Sequence, residues 1–176
     1  IRLPAISEQA KRYVIDFNQR PYGSNTRWAN FPIRIYADPG FARADLERAN
    51  AFWENILGQH GVRFQVVTDK ASANIVFELA NSVPVGCGEE NPTQIENNII
   101  KAGYGKYSRE PRCTTPGDVA TIALAHGIGH ILGLRGHTPD NIDLMSTPNV
   151  PSLSASSALR ESMQYIYRLP PGTKVT

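Results

Sequence analysis

The spacing of apolar residues changes several times along the chain, and each change marks a predicted element. Ile6 to Phe17 carries a short helical pattern, followed by the polar turn Pro21-Tyr22-Gly23-Ser24-Asn25. Phe31 to Ala37 alternates as F-P-I-R-I-Y-A and reads as a strand. Its proline lies near the start, where a missing backbone donor is tolerated. Asp38-Pro39-Gly40 ends it. Arg43 to Leu57 then places Leu46, Ala49, Trp53, Ile56 and Leu57 at helical spacing, which gives one apolar stripe. Gly58 and Gly61 close that helix. Val62 to Thr68 and Asn74 to Leu79 are rich in valine, isoleucine and phenylalanine and read as two more strands.

Residues 81–115 break the periodicity with glycine, proline and asparagine, and a long loop with one short strand near Ile95 to Lys101 is expected. A second helix is expected to begin at Thr115 as N-cap, with Pro116 first and Asp118 third, where its charge meets the helix dipole. Val119, Ile122, Ala123, His126 and His130 then share one face, and Gly133 is a natural stop. Ser154 is the expected cap of a last helix whose Leu159, Met163, Ile166 and Tyr167 face inward, with Pro170-Pro171 ending it. Strand, helix, strand, strand, short strand, helix, helix is an α+β or α/β order with few helices.

Composition narrows the function classes. The 176 residues suit a single domain, 1–176. A net charge of +2 and a pI near 8.6 are too mild for a nucleic-acid partner. No apolar run approaches the roughly 18 residues of a membrane span. The chain opens on Ile1, so a processed or trimmed product is expected, and with it a secreted or extracytoplasmic location. Cys87 and Cys113 are an even pair in the loop-rich region and predict one disulfide, with two free thiols as the alternative. A monomer is expected.

The chemistry is concentrated in A-H-G-I-G-H-I-L-G-L-R-G-H, residues 125–137, which hold three of the four histidines. His126 and His130 are four apart and stack on one helical face. Gly133 lets the chain leave the helix and turn back, which brings His137 toward the same point. Three neutral imidazoles leave a tetrahedral zinc one open position, the arrangement of a catalytic site. The alternative is that the helical histidines are core residues and no metal binds.

The segment His126 to Met145 resembles the metzincin clan of zinc endopeptidases, specifically a bacterial matrixin-like member, whose signature is H-E-x-x-H-x-x-G-x-x-H followed by a methionine turn. His126, His130 and Gly133 match by position, and Thr138 to Ser146 resembles the linker and turn, with Met145 beneath the metal. Trp28 to Ala37, Leu46 to Leu57, Ala73 to Val76 and Leu153 to Tyr167 fit the same order. The resemblance implies a twisted mixed five-stranded sheet with two long helices, an active-site cleft, and a small C-terminal subdomain ending in a helix. Residues 1–133 would be the upper part and 134–176 the lower. It further implies an extended peptide or protein substrate along an edge strand at residues 95–102, and an S1′ pocket shaped by Thr147 to Ser152.

The chain departs from that signature twice. Strict spacing puts the third ligand at Gly136, whereas the histidine is His137. The family's glutamate, which takes a proton from the attacking water and hands it to the leaving amine, is replaced by Gly127. Such a loss commonly reduces rate about 10²–10⁴-fold. Glu89, Glu90, Asp140 and Asp143 are the nearby carboxylates, and none has a spacing that places it beside the metal. A disabled zinc endopeptidase is therefore expected, with a non-catalytic peptide- or partner-binding pseudopeptidase as the alternative. Asp38, Asp140 and Asp143 are calcium candidates by resemblance, with surface carboxylates as the alternative. His60 reads as an exposed turn residue, and Tyr165 and Tyr167 as helix packing.

Overall fold

The computed structural model describes residues 5–20, 23–79, 94–96, 99–102, 116–139, 143–146 and 153–175, with backbone alone at 79, 94–96, 99–102 and 116–120. Cys87, Cys113, Glu89, Glu90, Thr115, Asp140 and Thr147 to Ser152 lie outside the described residues.

Helix α1 spans Glu8–Val14. Ser7 caps it by accepting from the Ala10 N–H at 3.3 Å, and a π-helical turn, Ile15–Gln19, continues it. Strand β1 is Ile33–Ala37, and helix α2 is Arg43–Leu57, as its apolar stripe predicts. Leu46, Ala49, Trp53, Ile56 and Leu57 are all buried. Strand β2 is Phe64–Val66, and β3 is Ile75–Leu79. β4 is Gln94–Glu96, and β5 is Ile99–Ala102. Helix α3 is Pro116–Leu132, and α4 is Ser157–Arg168.

The architecture implied by the resemblance is corrected. Among the described residues the molecule is a small α+β protein with a three-strand parallel sheet, β2-β1-β3, and four α-helices rather than two long ones. Short strands continue one edge in the order β2-β1-β3-β5-β4, with β5 parallel to β3 and β4 antiparallel to β5. The single strand expected at Ile95 to Lys101 is thus a pair, and among the described residues Gln94–Glu96 forms one edge of the sheet, with β2 at the other. Helix α1, which lies within the helical pattern of Ile6 to Phe17, packs against α4 at the other end of the chain. A seven-residue helix is marginal in isolation, so its stability comes from that contact.

A single apolar cluster links Tyr13 and Val14 of α1, Ile33 and Ile35 of β1, the α2 stripe, Leu124 to Leu132 of α3, and Leu159 to Ile166 of α4. The cap of α4 is Ser156 rather than Ser154. The Ser156 hydroxyl accepts from Leu159 N–H at 3.1 Å, while the Ser154 carbonyl accepts from Leu144 N–H at 2.8 Å. Both serines fit the capping chemistry, and only packing of the preceding turn separates them. His60 is half-buried rather than exposed. Its pKa is lowered by burial first, then by the positive charges of Arg168 and Arg27.

Candidate metal centre

Helix α3 carries two of the three histidines and is held from several sides. The Trp53 indole donates to the Ala125 carbonyl at 2.7 Å. At the C-terminal end, carbonyls that the helix cannot satisfy itself find side-chain donors. Trp28 donates to the Ile131 carbonyl at 3.1 Å, and the Tyr167 hydroxyl donates to Leu132 at 2.8 Å. Gly133, at φ +134°, then ends the helix. The Gly133 N–H returns to the His130 carbonyl at 3.3 Å and the Leu134 N–H to Gly129 at 3.2 Å, the paired bonds of a Schellman stop. A side chain at 133 would place its Cβ 2.3 Å from the Thr26 carbonyl oxygen, so glycine is required by both torsion and space.

That stop sets the second histidine. It turns the Leu134 carbonyl back toward the helix, where it lies 2.8 Å from His130 Nδ1. The Leu144 carbonyl lies 2.7 Å from His126 Nδ1 in the same way. A carbonyl can only accept, so both Nδ1 atoms carry hydrogen and both Nε2 atoms carry the lone pair. This arrangement orients metal-ligating imidazoles. His137 completes the group: potential ligand atoms of His126, His130 and His137 all lie within 4.8 Å of one another. Ring centroids are 4.5 Å apart for His126 and His130, 5.2 Å for His126 and His137, and 4.9 Å for His130 and His137. Three histidines are therefore close enough to bind one metal ion.

Their protonation fits the role. Burial pushes His126 down to about 3, with neighbouring His130 adding to the effect. Burial likewise pushes His130 down to about 4 and lowers His137. Neutral imidazole is the ligating form, and these rings are neutral at pH 7 without needing a metal to displace a proton. Among the described residues they form the only group of three or more His, Cys, Asp or Glu side chains close enough to share a metal. Among the described residues, Asp38 and Asp143 belong to no such group.

The residue before the third histidine is under a steric constraint. A Cβ at Gly136 would stand 1.7 Å from the Phe17 carbonyl oxygen. The chain passes too close to that carbonyl at position 136 for any side chain, and the next residue, His137, faces the other two rings. Met145 lies wholly buried beneath the helix. A Cβ at Gly129 would be 2.4 Å from its sulfur and 2.6 Å from Trp53 Cζ2, so this glycine admits the methionine and the indole against the helix. Gly127 follows His126 in the buried helix and brings no proton-accepting group.

Asp143, a calcium candidate by resemblance with a surface carboxylate as the alternative, is not at the surface. It is buried and accepts from both the backbone N–H and the hydroxyl of Ser156, the latter at 2.8 Å. It ties the methionine turn to the start of α4, and with Leu144 holding His126 it supports the metal group indirectly. Its partner lies 13 residues away, which no local motif announces. Asn18 is a second residue that sequence patterning passes over. It is buried and accepts from the Arg135 N–H at 2.9 Å, inside the loop leading to His137.

Against known proteins, the chain matches no family model and no curated protein.

Proposed function

We propose that the chain is a zinc-dependent metalloendopeptidase by function, with an intact metal centre and with peptide hydrolysis disabled at Gly127. The observation that carries this reading is the convergence of three neutral imidazoles, two of them oriented by backbone carbonyls. Three nitrogen donors suit zinc and leave one position open to a substrate oxygen or water. His126, His130 and His137 would hold the ion, which supplies Lewis acidity toward a scissile carbonyl. The resemblance of His126 to Met145 to the metzincin signature supports peptides as the substrate class.

The chain's own residues leave one step without an agent. Peptide hydrolysis requires a group to take a proton from the attacking water and another transfer to the departing amine. Gly127 occupies the place where a carboxylate would do both. Asp143 does not replace it, because Ser156 occupies its carboxylate. The same observation favours a second reading, a pseudopeptidase that holds zinc and binds peptides without cleaving them.

Zinc reconstitution of the purified chain followed by metal analysis is expected to give one equivalent of bound zinc. Gly127→Glu is expected to raise cleavage of an unfolded protein substrate by at least about 10²-fold, and a chelator should abolish that cleavage. Zinc binding without any gain from Gly127→Glu would select the pseudopeptidase. A chain that takes up no zinc would refute both readings.

A further inference from the structure

The three imidazoles are not secured alike. His126 and His130 each carry a ring hydrogen bond to a carbonyl. Among the described residues the His137 ring carries none, so its place depends on the backbone around it. That backbone is tied on both sides. After His137, the Thr138 N–H donates to the Met145 carbonyl at 2.8 Å. Before it, the Arg135 N–H donates to Asn18 Oδ1 at 2.9 Å. Gly136, between them, rests on the Phe17 carbonyl so closely that no side chain fits. Phe17 and Asn18 are neighbours in the π-helical turn Ile15–Gln19, a geometry that occurs often at functional sites.

We infer that this π-helical turn is the seat of the third metal ligand, and that Asn18 is a positioning residue acting on His137 through the Arg135 N–H. The inference rests on the metal-binding reading above and adds the N-terminal segment to the support of the site. Asn18 suits the task because its orientation is determined at both ends. Its oxygen must face the Arg135 donor, so its nitrogen faces Asn25 Oδ1, at 2.9 Å. Asn25 in turn donates to Gln19 Oε1 at 2.9 Å and to the Thr173 carbonyl at 3.3 Å. Gln19 donates to the Val175 carbonyl at 2.7 Å and accepts from the Val175 N–H at 2.6 Å. Each donor meets an acceptor along this run, so the loop before His137 is anchored to both termini of the described fold. An amide network satisfied throughout holds its members rigidly.

The test is a cycle of zinc affinities, with zinc alone as the probe, in the full chain and in His137→Ala. Asn18→Ala is expected to weaken zinc binding about 10–100-fold in the full chain, the range for loss of a residue that orients a ligand. In His137→Ala the same change should alter the remaining affinity less than about twofold, because the ligand it acts on is gone. A general loosening of the fold would weaken both backgrounds equally, and that result overturns the inference. Coupling is reciprocal, so zinc should slow hydrogen exchange of the Arg135 amide in the unmutated chain, a measurement that needs no folded variant. No slowing there, with zinc bound, also overturns it. An unmutated chain that binds no zinc would instead refute the metal reading itself.

Discussion

Gly129→Ala sets two physical rules against each other. Glycine inside a helix is less favourable than alanine by about 1 kcal/mol, so propensity alone expects the substitution to stabilise α3. Packing expects the opposite. The new Cβ would stand 2.4 Å from the Met145 sulfur, 2.6 Å from Trp53 Cζ2 and 3.0 Å from Met145 Cε. Ordinary carbon contacts lie near about 3.5–4.0 Å, so both neighbours must retreat by roughly an ångström or more. Met145 is flexible, but it belongs to the turn that presents the Leu144 carbonyl to His126. Trp53 is wholly buried and bonded to the Ala125 carbonyl of the same helix, so it has nowhere to withdraw without breaking that bond. Overpacking of this kind costs about 1–3 kcal/mol, and loss of the indole bond about 0.5–1.5 kcal/mol more. Against a propensity gain of about 1 kcal/mol, the net expectation is destabilisation by about 0.5–3.5 kcal/mol. Urea unfolding of the metal-free protein measures it, and zinc titration should show weaker binding as the Leu144 carbonyl shifts. A Gly129→Ala protein as stable as its parent, or more stable, would refute the packing argument.

Other expectations follow from the same geometry. The metal-free fold should lose stability as pH falls below about 6.5, the ordinary histidine value. His126 and His130 titrate near 3 and 4 when folded and near 6.5 when unfolded, so the unfolded chain binds more protons over that interval. The slope approaches about 1.4 kcal/mol per pH unit for each histidine. Urea midpoints between pH 6.5 and 5 in a chelator should fall accordingly, and a flat profile would contradict the buried, neutral assignment. Asp143→Ala should destabilise by about 2–4 kcal/mol through loss of both bonds to Ser156, read by urea unfolding; a change under about 1 kcal/mol would show that the clasp contributes little. His137→Ala should weaken zinc binding by at least about 100-fold, beyond what loss of a supporting residue causes, and a smaller change in a zinc competition assay would remove His137 from the ligand set.

The sequence by itself carries everything here that depends on short chain separations. The four-residue spacing of His126 and His130 sets them on one face because the helical period does so for any sequence. Gly133 ends α3 because its torsion suits few other residues. The stripe from Leu46 to Leu57 marks α2, Arg43–Leu57, since an amphipathic pattern sustained over several turns outweighs local ambiguity. Where two local solutions are equally good, as with Ser154 and Ser156 at the start of α4, patterning has no basis to choose.

Only the tertiary structure decides what depends on distant partners. The short helix α1 is marginal by itself and is held in the fold through its contact with α4. That position 136 admits no side chain, beside the third histidine of the cluster at 137, is set by the carbonyl of Phe17, more than a hundred residues earlier. Asp143 and Asn18 are ordinary polar residues in the sequence and buried supports in the structure, because a hydrogen bond is made by proximity in space. Local periodicity is a property of the backbone's own repeat and can be read along the chain, whereas the meeting of remote segments is settled by the packing of the whole core.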